Sequence, residues 1–130
     1  MDDRTLRPIA AALGVATMLF GVVPLLAPRP FARLFSFPPP DPAGASMMRS
    51  LGVRDVVFGI GLWSAATHGG RYAPWLLLRL LTDAGDTVSV GIAAARGARQ
   101  PRFLGLGALA FGAAVAETAL YLAARHSTSE

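Results

Sequence analysis

Arg79, Asp83 and Asp86 stand four and three residues apart within an otherwise apolar stretch, 72–95, a spacing that stacks three ionisable side chains on one helix face. Arg54 and Asp55 interrupt a second apolar stretch, 46–67, and Glu117 a third, 103–124. Carboxyl groups beside guanidinium groups in a poorly hydrated place suit proton transfer. One carboxyl acts as acid, its neighbour as base, and an arginine orients them or stabilises developing negative charge. Two arginines, Arg54 and Arg79, face four acids, Asp55, Asp83, Asp86 and Glu117, and adding the more distant Arg49 makes three against four. At least one acid is left without a full counter-charge, and it is expected to hold a proton near neutral pH.

Long apolar elements must position these groups. Of 130 residues, 53% are hydrophobic and only 15% charged, and the mean hydropathy is +0.47, outside the range of an ordinary soluble domain. Four stretches, 9–27, 46–67, 72–95 and 103–124, are each close to the roughly 20 residues that cross a bilayer as a helix. The expected fold is all-α: one domain over 1–130, an integral membrane four-helix bundle with a short interfacial segment between its first two spans. The expected location is a membrane. Asp2 and Asp3 dilute the basic start, and the run from Pro8 to Pro28 exceeds a usual signal core, so the first stretch is expected to be a retained span. A charge at the bilayer centre costs about 2.5–3.5 kcal/mol even on lenient scales, so the ionisable groups are expected to turn away from lipid.

With each span centred on the bilayer, the six central groups fall within roughly 7 Å of one depth at 1.5 Å per residue. Arg54 is then expected to meet Asp86 or Asp83, and Arg79 to meet Glu117 or Asp83. Gly14, Thr17 and Gly21 are expected on one face of the first span, suited to close helix contact, and Gly52, Gly59 and Gly61 thin the second. The turns at His68-Gly69-Gly70-Arg71 and 96–102 are short, whereas the first link is long. Phe31, Arg33, Leu34, Phe35 and Phe37 suit a short helix at the headgroup boundary, followed by the stiff Pro38-Pro39-Pro40-Asp41-Pro42. That link is either a rigid connector or a lid. Trp63, Tyr72, Trp75 and Tyr121 map to the side of the 68–71 turn, as interfacial rings prefer, but Arg counts of four against five leave the orientation open.

Several function classes are set aside. The surplus arginines lie in short segments between apolar runs rather than along a soluble basic stripe, so nucleic acid is not an expected partner. The chain has no cysteine, and His68 and His126 lie in a turn and a tail, so no metal site is expected. No glycine-rich phosphate loop and no serine nucleophile motif occurs, and no cofactor is expected.

Gly52-Val53-Arg54-Asp55, followed by Gly59, together with Asp83-Ala84-Gly85-Asp86, resembles a domain-of-unknown-function family of small four-span membrane proteins from bacteria and fungi. The likeness runs from Gly14 to Glu117, with the Gly-x-Arg-Asp motif as its most specific part. It implies a four-helix membrane fold, gives weight to Arg54, Asp55, Asp83 and Asp86, and implies no particular activity. From the residues themselves, the leading expectation is a pocket for a lipophilic small molecule with acid/base chemistry of isomerase or cyclase type. Asp55, Asp83, Asp86 and Glu117 are the candidate catalytic acids, and Arg49, Arg54 and Arg79 bind substrate or orient carboxylates. The alternatives are a proton-coupled transporter, which would be a homo-oligomer, and a structural membrane subunit in which the ion pairs only set helix register. The expected partners are the lipid bilayer, the lipophilic molecule and, for the transporter, further copies of the chain.

Overall fold

A computed structural model describes residues 3–127 and shows an all-α chain. Its elements are α1 (Asp3–Leu26), α2 (Pro28–Leu34), α3 (Pro42–Thr67), α4 (Ala73–Ala95) and α5 (Pro101–Ser127), with no strand among the described residues. Residues 1–2 and 128–130 of the domain expected over 1–130 lie outside the described residues. By length and composition α1 and α5 could each cross a membrane. Helices α3 and α4, 26 and 23 residues long, are of similar length but carry the charged clusters.

Local chemistry sets the helix ends. The Asp41 side chain accepts the Gly44 backbone N–H at 2.6 Å and Pro42 follows it, so α3 begins four residues before the apolar run. Pro74 and Pro101 occupy the first turns of α4 and α5, where a missing N–H is no loss. Gly69 (φ 76°) and Gly97 (φ 108°) turn the chain just after α3 and α4 in the left-handed region. The first link contains α2, which ends where Ser36 adopts φ 60° and the Phe37 N–H returns to the Ala32 carbonyl at 2.8 Å.

The long helices bury stripes at intervals of three, four or seven residues: Leu6, Ala10, Gly14, Thr17, Gly21 and Pro24 on α1, and Ala45, Gly52, Asp55, Gly59, Leu62 and Ala66 on α3. On α4 the stripe is Leu76, Arg79 and Asp83. Outward positions are apolar instead of polar: Leu19, Leu26, Val57, Leu81, Val88, Phe111 and Val115 are all exposed. That pattern is the reverse of a water-soluble bundle, which turns its polar face outward.

The helices associate as two pairs, α1 along α3 and α4 along α5, with fewer contacts between the pairs. In the first pair Gly14 faces Gly59 and Gly21 faces Gly52. A Cβ on Gly59 would lie 2.6 Å from the Gly14 carbonyl oxygen, and one on Gly21 would lie 2.7 Å from that of Gly52. Only glycine allows so close an approach of two backbones, which brings dispersion contacts along the whole crossing. At one end Leu6, Ala10, Leu62, Ala66, Leu76 and Ala124 interlock and join the two pairs. Toward the other end the pairs diverge around a cavity, so the charged groups lie between a close-packed end and an open one.

Candidate functional site

Asp55 comes from the glycine stripe of α3, Arg79 and Asp83 from successive turns of the buried stripe of α4, and Glu117 from α5. Their neighbours Arg54 and Asp86 stand at the edge of the same interface. Two guanidinium groups connect all four acids into one chain. Arg54 places Nη2 at 2.9 Å and Nη1 at 3.3 Å from the two carboxylate oxygens of Asp86, a bidentate fork, while its Nε donates to Asp55 Oδ1 at 3.0 Å. Asp55 Oδ1 also lies 3.8 Å from Arg79 Nη1, so Asp55 bridges the two arginines. Arg79 then donates from Nη2 to Asp83 Oδ2 at 2.7 Å and from Nε to Glu117 Oε1 at 3.1 Å.

Burial grades along this chain. Glu117 is completely enclosed, Asp55, Arg79 and Asp83 are buried, and the Arg54 and Asp86 side chains retain 26% and 42% of their exposure. Glu117 Oε2 is buried with no hydrogen-bond partner among the described residues, although the other oxygen of the same carboxyl is bound to Arg79. Leaving a buried oxygen unpaired forfeits a hydrogen bond, so the protonation state of this carboxyl matters more than that of a surface acid.

The cavity beside this network measures about 570 Å³, within the usual range for small-molecule sites. Arg54, Asp55, Arg79, Asp83 and Asp86 form its floor, and Thr17, Phe20, Phe31, Phe37 and Phe103 contribute to its walls. It is a half-open cleft, and Glu117 sits behind the floor instead of facing the space. The first link shapes the mouth: Phe31 of α2 packs edge-on against Phe20 at 5.9 Å between ring centres, and Phe37 meets Phe103 of α5 at 5.4 Å. A second hollow, of about 890 Å³ around Arg7, Tyr72 and Tyr121, lies at the opposite end, remote from the network.

Six of the seven site residues expected from the sequence meet in one network. Arg54 takes Asp86 as its α4 partner in place of Asp83, and Arg79 takes both Glu117 and Asp83. Arg49 does not join them and lies exposed on α3. Sequence reasoning missed the bridging role of Asp55 and the wall residues. Thr17, expected at a close helix contact, also lines the cavity while its hydroxyl donates to the Leu13 carbonyl at 2.9 Å. The approach of Phe37 to Phe103 carries no local signal, because 66 positions separate the two residues.

The fold and site define an all-α chain with an ion-pair network at the floor of an apolar cleft. The chain belongs to the family described as Domain of unknown function (DUF4267), whose family model matches residues 14–124 and so includes every member of the network. No curated protein and no solved structure matches it.

Proposed function

We propose that the chain is a single-domain integral membrane protein of bacterial or fungal type. In this reading α1, α3, α4 and α5 cross the bilayer, α2 lies at the interface, and the cleft receives a lipophilic small molecule from the side. The site then performs cofactor-independent acid/base chemistry of isomerase or cyclase type. Inward charges beneath an outward apolar surface support the membrane reading. The observation that carries the functional reading is the unbroken chain from Asp86 through Arg54, Asp55 and Arg79 to Asp83 and Glu117, bordering a cleft with phenylalanine walls.

In this mechanism a cavity-facing carboxylate, Asp86 or Asp83, removes a proton from the substrate, and a protonated carboxyl of the same network returns one at another atom. The two transfers leave the substrate's composition unchanged. Arg54 and Arg79 fix the carboxylates and offset negative charge that develops during transfer. Asp55 links the two arginines, and Glu117, enclosed behind the floor of the cleft, serves as the inner proton store.

Pairing favours a fixed pocket over the proton-coupled transporter. Each of the four acids has an arginine partner, whereas a transporter needs an acid that can be reached from each side in turn. The cleft also argues against a purely structural subunit, because a register device needs no empty space. The reconstituted chain should convert lipophilic substrates that carry an acidic C–H or a protonatable double bond, and Asp83→Asn and Asp86→Asn should each lower turnover by about 100-fold. Unchanged turnover in both variants would overturn the assignment, and substrate flux driven by a pH gradient in proteoliposomes would replace it with the transporter.

A further inference from the structure

We infer that the cleft selects a lipophilic amine, whose protonated nitrogen sits on the Asp86 carboxylate while its apolar body lies between the phenylalanine walls. The inference rests on the proposed pocket and specifies what the pocket accepts.

The hydrogen-bond inventory of the floor supports it. A guanidinium has donors but no acceptor, and the donors of Arg54 and Arg79 already hold all four carboxyls of the network. All three nitrogens of Arg54 bond to Asp55 or Asp86, while Nε and Nη2 of Arg79 bond to Glu117 and Asp83 and its Nη1 points to Asp55. An anionic head group would add negative charge beside Asp55, Asp83 and Asp86, where acids already outnumber arginines. Asp86 has acceptor sites to spare. A carboxylate offers about four lone-pair sites, and Asp86 uses only two of them on Arg54 while its side chain stays 42% exposed. A hydrogen-bond donor therefore fits on Asp86 without displacing Arg54.

Charge narrows the choice from any donor to a cation. The ionisable residues lining the cleft are Arg54 and Arg79 against Asp55, Asp83 and Asp86, and Glu117 stands behind Arg79. A bound ammonium supplies positive charge where acids outnumber arginines, and a neutral alcohol does not. The walls agree, because Phe20, Phe31 and Phe37 offer an apolar surface to the alkyl body. No basic side chain other than the two paired arginines lines the cleft to repel an amine.

The test compares three probes with one chain length: dodecylamine, dodecanol and dodecanoate. Each is titrated against the purified chain in an uncharged maltoside detergent at pH 8, and affinity is read from the concentration dependence of the unfolding temperature. Dodecylamine should bind at least about tenfold more tightly than either of the others, as a charge-assisted hydrogen bond requires. Asp86→Asn should remove that preference, and Asp86→Glu should retain it. Equal or tighter binding of dodecanoate or dodecanol would overturn the amine assignment and leave the pocket standing. Binding of none of the three would overturn the pocket and the amine together. The probe comparison uses the unaltered chain, so a variant that fails to fold does not weaken it.

Discussion

Arg79 is the residue on which the network depends. It is buried and lies against Asp55, Asp83 and Glu117 at once, so its removal leaves three largely buried carboxyls with one fewer positive charge. Breaking a buried ion pair from one side generally costs about 3–5 kcal/mol. Arg79→Ala should lower stability by that order in detergent denaturation, more than the loss of any exposed arginine such as Arg99. Adding Glu117→Gln to Arg79→Ala should recover part of the loss, because an amide at this enclosed position needs no counter-charge. If the two effects simply add, the network is not coupled as the geometry implies. Residue type and position were legible in the sequence here: the four-and-three spacing of Arg79, Asp83 and Asp86 forecast a shared face. Which acid takes which arginine was not legible, because Asp83 and Asp86 are both within reach of α3, and rotation of that helix decides between them.

At the scale of the element, two features control how the helices meet. The first is the glycine crossing of α1 and α3. Gly59→Leu would force a Cβ to within 2.6 Å of both the Gly14 carbonyl oxygen and the Met18 side chain, and such overpacking commonly costs about 1–3 kcal/mol. A Cβ on Gly85 of α4 would meet nothing within 4 Å, so Gly85→Leu should not lower stability. Thermal unfolding of the two variants side by side reads the difference, and equal losses would mean that the close crossing does not hold the pair together. The second feature is the first link. The sequence expected a short helix around Phe31 followed by a stiff proline segment, and α2 forms over Pro28–Leu34 before that segment. Glycine at 14, 21, 52 and 59 marked faces able to approach closely, but it could not say that Gly14 would meet Gly59 and Gly21 would meet Gly52. Register between antiparallel helices is set by the whole crossing and by the length of the link.

For the molecule as a whole, the expected four-span arrangement makes a topological prediction that the cysteine-free chain is well suited to test. The turn at Arg71 and the turn at Arg99 join opposite ends of the helices, and Arg7 of α1 donates to the Gly70 carbonyl at 3.2 Å, which puts the start of α1 beside the first of these turns. In oriented vesicles, a thiol reagent that does not cross the membrane should label Arg71→Cys and Arg99→Cys from opposite sides. Labelling of both from the same side would rule out four spans. The sequence by itself determined the number and approximate limits of the long helices, the apolar exterior and the convergence of ionisable residues on inward stripes. These properties follow from residue type and from a helical period that repeats locally. Only the tertiary structure decided that the two helix pairs interlock at one end and diverge at the other, that Asp55 joins Arg54 to Arg79, that Arg49 stays outside, and that Phe37 reaches Phe103 across the mouth. Each of these depends on how side-chain volumes from distant segments fill the same space, which no local pattern encodes.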